Sequence, residues 1–297
     1  MTFYDNFKDR YKSEFDQNHG YVPNLDFSSL DQWRHLRMLN KIRPFIETGS
    51  SWLTIGDGRY GNECQYLTKH GADAHASDLC IDLLEVAKEN DLIKSFSREN
   101  AESLSFDDCT FDYVLIKEAL HHLPRPWIGL HEAFRVCRKA VVLIEPNDQR
   151  PVLFPADTAF RLLKNIAKQV TKKGSIQPLH RYQFEDVGNF VFSFNQNELE
   201  KFLLGMHYRH ISYCRLNDLY LPEMAKQPTT NKNGSSSANL TKLKSYLSYL
   251  DMLCNMGVWR SNMIVAALHK ASPSLELISN IKSSGWTHKQ LPKNPYI

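Results

Sequence analysis

Three groups of residues in this 297-residue chain are of types that could do chemistry. The run Gly56-Asp57-Gly58-Arg59-Tyr60-Gly61 satisfies G-x-G-x-x-G. Glycines so spaced allow a tight turn and let the backbone come close to a ligand at a helix N-terminus. Asp78 follows about twenty positions later, where an acid can accept hydrogen bonds from both hydroxyls of a ribose. Together they predict a nucleoside-containing cofactor, and both NAD and S-adenosylmethionine fit. Taken singly, the turn also suits an ordinary strand-to-helix connection, and Asp78 also suits a helix N-cap. The third group is His121-His122 with Glu145. Histidine titrates in the range useful to a general base. Only one of two adjacent helical residues faces a pocket, and His122 lies four residues after Glu118, on one helix face with it. His122 is therefore the catalytic candidate, against a plain structural role for the pair. Glu145 would either orient an acceptor or ion-pair within a loop.

These residues need elements to hold them. Ser51-Trp-Leu-Thr-Ile55 reads as a strand feeding the glycine turn, and Glu63 to His70 as the helix after it. Strands over Ala72–Ala76, Phe111–Ile116 and Lys139–Glu145 alternate with helices over Ile81–Glu89 and Trp127–Cys137. That rhythm predicts βαβ units and a parallel sheet, and the unbroken apolar strands predict a sheet covered on both faces. Before it, Phe3, Phe7 and Tyr11 recur at helical spacing, and Leu30 to Ile46 is an amphipathic run. After Pro146 come a helix over Ala156–Thr171, an irregular stretch to Phe194, and a capping box at Asn195-Gln-Asn-Glu198. Strands are expected from Tyr208 to Arg215 and from Arg260 to His269, separated by an insertion with a helix over Leu240–Met256.

Composition excludes several classes. With 42% hydrophobic residues and a net charge of +3, the chain is expected to be globular and soluble rather than disordered. The longest apolar stretches, such as Ala140 to Ile144, fall far short of a membrane span. Basic clusters such as Lys172-Lys173 are too short for a nucleic-acid footprint. The polar start, Met1 to Arg10, is unlike a secretory signal. Six scattered cysteines without a C-x-x-C pair argue against a zinc site or a disulfide framework, so no metal and a cytoplasmic location are expected.

The segment from Asn100-Ala-Glu-Ser-Leu-Ser-Phe through Phe111-Asp-Tyr-Val to Leu120-His-His-Leu123 separates the cofactors. It resembles the class I S-adenosylmethionine-dependent methyltransferases of type 11, in which a D-A-x-x-L-P-F segment precedes an F-D-x-V strand and an L-H-H-L helix end. Arg135-Val and the Val141–Glu145 strand continue the resemblance, which covers about residues 48–148 and the last strand more loosely. It implies a Rossmann-like α/β fold, doubly wound, with a mostly parallel seven-stranded sheet, helices on both faces, and N-terminal and inserted caps. It also implies S-adenosyl-L-methionine as cofactor and S-adenosyl-L-homocysteine as product.

Carried over residue by residue, Gly56, Gly58 and Gly61 would let the backbone approach the methionine part and the ribose. Asp78 would hold the ribose hydroxyls and Leu79 would pack on the adenine. Asn100 would meet the adenine amino group, Ala101 would offer its N–H to a ring nitrogen, and Glu102 would complete that segment. Lys117 would present its backbone carbonyl near the methionine amine. The chain departs from the pattern at Thr54, where an acid is usual, at Asp57, where a small residue is usual, at Asn100, where Asp is usual, and at Arg138-Lys139-Ala140. Asp57 is then expected to supply the charge missing at Thr54 and to face the cofactor's ammonium or sulfonium.

Domain organisation follows as a single domain. Residues 1–48 are an N-terminal cap, 49–148 the cofactor-binding core, 149–194 and 217–257 insertions forming an acceptor lid, 195–216 and 258–270 the end of the sheet, and 271–297 a tail. Tyr4, Tyr11, Trp33, Arg34, His180, Arg181, Tyr182 and Phe184 are the lid residues of interest. Glu145-Pro-Asn-Asp148 resembles bacterial methyltransferases of polysaccharide or other secondary biosynthesis, which implies a small-molecule or carbohydrate-like acceptor. No nucleic acid is expected, since no N-P-P-Y motif follows the fourth strand, and a homodimer is compatible with the chain. A short-chain NAD-dependent dehydrogenase would need Tyr-x-x-x-Lys late in the sheet, whereas the match found, Tyr4 to Lys8, precedes the first strand. A non-catalytic cofactor-binding module stays open because of Thr54 and Asn100.

Overall fold

The computed structural model describes residues 29–148, 184, 190–220, 227–230, 234–256 and 258–296. The expectations for Phe3, Phe7, Tyr4, Tyr11, the helix over 156–171, His180, Arg181 and Tyr182 lie outside them.

Among the described residues eight strands form one sheet, where seven were expected. They are β1 (Ser51–Ile55), β2 (Asp73–Asp78), β3 (Phe96–Arg98), β4 (Phe111–Lys117), β5 (Cys137–Pro146), β6 (His210–Leu216), β7 (Met263–His269) and β8 (Thr287–Gln290). Their spatial order is β3-β2-β1-β4-β5-β7-β6-β8. β1 to β5 run parallel, and β7 is antiparallel to both of its neighbours. The extra strand, β8, pairs antiparallel with β6 and comes from the expected tail. β8 is mostly exposed and polar, so it lacks the apolar run that marks a buried strand.

Strand alternation divides the core. Tyr113, Leu115, Val142, Ile144, Val265 and Ala267 face one cluster, with Met38 and Leu39 of α1 (Leu30–Leu39), Tyr66 and Leu67 of α2 (Asn62–Lys69) and Leu84 of α3 (Asp82–Glu89). Val114, Ile116, Val141, Leu143, Ile264 and Leu268 face the other, with Leu130 and Phe134 of α4 (Pro126–Val136) and Leu199 and Leu203 of α5 (Gln196–Gly205). At about 25 cal/mol per Å² of apolar surface removed from water, these two layers are the main stabilising term.

α5 opens on the expected capping box, with Asn195 and Glu198 each accepting from the other's backbone N–H. The 217–257 insertion holds α6 (Ala238–Asn255), and α7 (Leu275–Ser283) precedes β8. The insertion is tied to the N-terminal cap: Arg37 pairs with Asp251 at 2.7 Å, and Leu30 N–H donates to the Gln227 carbonyl at 2.9 Å. No helix among the described residues is long and apolar enough to cross a membrane.

Candidate active site

β1, β2, β4 and β5 end together on one edge, where an open α/β sheet binds its ligands. Gly56 leaves β1 with φ of 78°, and a side-chain carbon there would collide with Cβ of Ala119, the residue that follows β4 and Glu118. Glycine is thus required both by the backbone angle and by the close approach of the β4 loop. Gly61 also has positive φ, and a Cβ there would lie 2.8 Å from Ile93. Tyr60, between them, takes φ of 58°, and Glu118 takes 49°. Left-handed backbone costs a non-glycine residue roughly 1–2 kcal/mol, so this edge holds strain at two places that the sequence does not announce.

Asp78, at the end of β2, accepts from the Gly58 N–H at 2.9 Å and from the Cys80 N–H at 2.8 Å. It pins the glycine turn to the neighbouring strand. Burial pushes its carboxyl up to about 6, against those two N–H bonds. The Leu79 N–H also bonds to it, so backbone N–H groups engage the carboxylate on both oxygens. Asp78 thus stands beside the glycine turn at the carboxyl edge of the sheet.

Asp57 is placed differently from expectation. It is buried, with 2% exposure. Thr54 Oγ1 donates to it at 2.8 Å, and the N–H groups of Glu63 and Cys64 donate at 3.2 and 2.9 Å. Both oxygens are thus engaged in capping α2 and tying it to β1, and the residue is buried rather than turned to the open edge. Burial, then the neighbouring Glu63, raises its carboxyl well above the usual range.

Asn100 Oδ1 accepts from the Glu102 N–H at 3.0 Å, forming a local turn that presents Ala101. Glu102 is buried and accepts from Arg125 Nε at 2.7 Å and Arg125 N at 2.8 Å. It fastens this segment to the start of α4, a structural role rather than the cofactor contact expected of it.

The histidine pair also differs. Leu120–His122 is a single 3₁₀ turn, not the end of a helix. At three residues per turn, positions four apart no longer share a face. Glu118 pairs instead with Lys117 at 2.9 Å. His121 meets Glu145: Nδ1 lies 2.6 Å from Oε2. Glu145 is fully buried and also accepts from the N–H groups of Ala119 at 3.1 Å and Leu120 at 2.9 Å. It shapes the turn and orients His121, and it sits in β5 rather than in a loop.

Sequence reasoning used the backbone of Lys117 and missed its side chain. That ammonium is buried, 3.2 Å from Glu63 and 2.8 Å from Nδ1 of His35 on α1. His35 lies 3.5 Å from Glu118, and Arg34 pairs with Asp31 and Asp218. Of the lid residues named above, Arg34 is thus placed at this edge. Trp33 lines a surface groove with Arg37, Lys41, Arg43 and Asn280, and Phe184 is exposed.

This fold and this edge are similar to those of methyltransferase domains. Residues 53–144 match the family described as methyltransferase domain. Over 114 residues the chain is 28% identical to the ubiquinone/menaquinone biosynthesis C-methyltransferases UbiE of two Rhodopseudomonas palustris strains, an alignment that takes in 36% of this chain and 45% of each relative. The chain thus spans less than half the length of these curated relatives. Its fold is shared with a Haloferax volcanii methyltransferase solved with the Trm112 activator, at 13% identity, TM-score 0.50, covering 92% of this chain and 100% of that one. It is shared too with the Burkholderia thailandensis 1,6-didemethyltoxoflavin-N1-methyltransferase, solved with its acceptor and S-adenosylhomocysteine, at 12% identity, TM-score 0.50, covering 90% and 88%.

Proposed function

We propose that the protein transfers a methyl group from S-adenosylmethionine to a small-molecule or carbohydrate-like acceptor, in a polysaccharide or secondary biosynthetic pathway. The observation that carries this reading is Asp78, a buried carboxylate that pins the glycine turn at the carboxyl edge. An unpaired acceptor supports the fit: Oδ1 of Asn62, at the first residue of α2, is buried without a hydrogen-bond partner among the described residues.

S-adenosylmethionine supplies, when bound, a sulfonium-activated methyl carbon. The chain's own residues bind and orient. Gly56, Gly58 and Gly61 give close backbone approach, Asp78 receives the ribose hydroxyls, Leu79 packs on the adenine, and Asn100 and Ala101 frame its edge. Where the acceptor loses a proton, we assign the base to His121 rather than His122. The Glu145 carboxylate beside Nδ1 orients the ring, as in other carboxylate–histidine pairs.

Calorimetry with S-adenosylmethionine and with NAD tests the donor, and a labelled-methyl assay against a metabolite pool tests the acceptor. Binding of NAD alone would overturn the reading. Product analysis then distinguishes methylation at carbon, as the UbiE name states for those relatives, from methylation at oxygen or nitrogen.

A further inference from the structure

Trp33, Leu36, Arg37 and Asn40 recur at i, i+3, i+4 and i+7, so they form one stripe along α1 and its C-cap. The chain then winds as a 3₁₀ helix over Asn40–Phe45, in which positions three apart eclipse, so Arg43 stands above Asn40. This stripe is one wall of a surface groove of about 730 Å³, and the C-terminal end of α7 is the other. Small-molecule sites span roughly 300–1,000 Å³, so the groove has room for a ligand of ordinary size. Its lining includes none of the carboxyl-edge residues Gly56, Asp78, His121 and Glu145.

The two walls differ in chemistry. Arg37, Lys41 and Arg43 line the groove, and no carboxylate does. Arg37 is neutralised by Asp251 of α6, whereas Lys41 and Arg43 have no acidic partner among the described residues. Asn40 Oδ1 accepts from the Tyr66 hydroxyl at 2.9 Å, which fixes the amide and leaves its two N–H donors without a partner among the described residues. On the α7 wall, the hydroxyls of Ser283 and Ser284 both donate to the Asn280 carbonyl, at 2.9 and 2.8 Å, so their oxygens stay available as acceptors. Trp33 is half-buried, and the ammonium of Lys244 on α6 stands 5.8 Å from the centre of its ring. At 1.5 Å per residue, the ring's position on α1 lies roughly 10 Å along the axis from Asn40. One wall thus offers cations and donors, the other offers hydroxyl oxygens, and an aromatic face stands at one end.

We propose that this groove is a second ligand site, for a phosphorylated sugar, either free or as part of a nucleotide. The proposal is independent of the methyl-donor reading. The phosphate is met by Lys41, Arg43 and the Asn40 amide, since charge-assisted bonds to an anion are the strong ones. It belongs on that wall because the α7 wall is a helix C-terminus, whose carbonyls and dipole repel an anion. The sugar hydroxyls donate to Ser283 and Ser284, and the apolar face of a ring packs on Trp33. A bare anion would use one wall only, and a neutral sugar would leave both lone cations unmet.

Calorimetry with glucose 1-phosphate and with uridine 5′-monophosphate tests it, with inorganic phosphate and glucose as partial ligands. At least one of the two phosphorylated sugars binds with a Kd below about 1 mM, and each partial ligand binds about tenfold or more weakly. Which of the two binds tells a free sugar phosphate from a nucleotide. In the unaltered protein, raising the salt from about 50 to about 500 mM weakens that ligand several-fold, because exposed cations are screened. The double variant Lys41→Gln, Arg43→Gln weakens it about tenfold or more, and Trp33→Ala about threefold, while Asp78→Asn leaves it within about twofold. Absence of binding by both phosphorylated sugars at about 5 mM overturns the proposal. So does inorganic phosphate binding as tightly as they do, which would mark a bare anion patch. Affinity that is indifferent to salt, or unchanged in the double variant, overturns it as well. Loss of binding in Asp78→Asn would put the ligand at the carboxyl edge and end the case for a second site.

Discussion

Nδ1 of His121 lies 2.6 Å from Oε2 of Glu145, a carboxylate with no solvent exposure that also accepts two backbone N–H groups from the turn carrying that histidine. One buried acid thus builds the turn and sets the histidine's orientation. A buried acceptor removed from its donors leaves each unsatisfied, at about 1–3 kcal/mol apiece. Glu145→Ala should therefore lower unfolding stability in urea by roughly 3 kcal/mol, and His121→Asn by about 1–2 kcal/mol. An alanine variant as stable as the parent would show that these bonds do not organise the turn.

Gly56 tests the fit between the glycine turn and the β4 loop. Gly56→Ala meets both positive φ and the Ala119 side chain, and should cost about 2 kcal/mol or more together with loss of S-adenosylhomocysteine binding. Adding Ala119→Gly should restore part of the stability, since it removes the clash and leaves the backbone cost. Absence of any restoration in the double variant would place the whole effect in the backbone.

Asp78 sets a pH dependence. Its carboxyl is raised to about 6 by burial, so it is ionised at pH 7.5 and takes up a proton as the pH falls through that value. A protonated acid no longer offers two anionic oxygens to a pair of hydroxyls. S-adenosylhomocysteine affinity should fall on the acid side, by about tenfold for each unit below the pKa at most. Asp78→Asn should bind weakly at every pH and show no such slope; a slope that survives in this variant would assign it to another group.

Asp57 should behave as a structural acid that caps α2 rather than as a cofactor ligand. Asp57→Asn is expected to leave S-adenosylhomocysteine affinity within about twofold, whereas Asp57→Ala should cost about 1–2 kcal/mol in stability, the scale of a lost helix cap. Calorimetry that finds a large affinity loss in the asparagine variant would return the residue to direct cofactor contact.

At the opposite edge of the sheet, His269 is buried with Nε2 2.8 Å from Ser212 Oγ, and burial lowers it from its ordinary 6.5 to about 3. The unfolded chain then takes up a proton at a pH where the folded one stays neutral. Stability is full above about 6.5 and declines as pH falls from there toward 3. Melting curves between pH 7.5 and 5 should show this decline, reduced in His269→Gln.

The sequence by itself determined the alternation of strand and helix from Trp52 to Glu145, the glycine turn, and Asp78 at the end of the second strand. These are written locally: apolar runs, glycine positions and cap residues act over a few neighbours. Tertiary structure alone decided which histidine is oriented, because Glu145 reaches the turn from the next strand and the turn is 3₁₀, with a periodicity that places His121 rather than His122 on the acid. It also decided the fate of three acids read as cofactor or catalytic ligands: Asp57, Glu102 and Glu145 are used up by backbone N–H groups and side chains that no pattern in the chain brings near them. Only the folded chain joins Arg34 to Asp218 and His35 to Lys117. Charged side chains so far apart in sequence leave no periodic trace. Their pairing depends on α1 lying across the carboxyl edge of the sheet, and that placement is fixed by the packing of Met38 and Leu39 on the core.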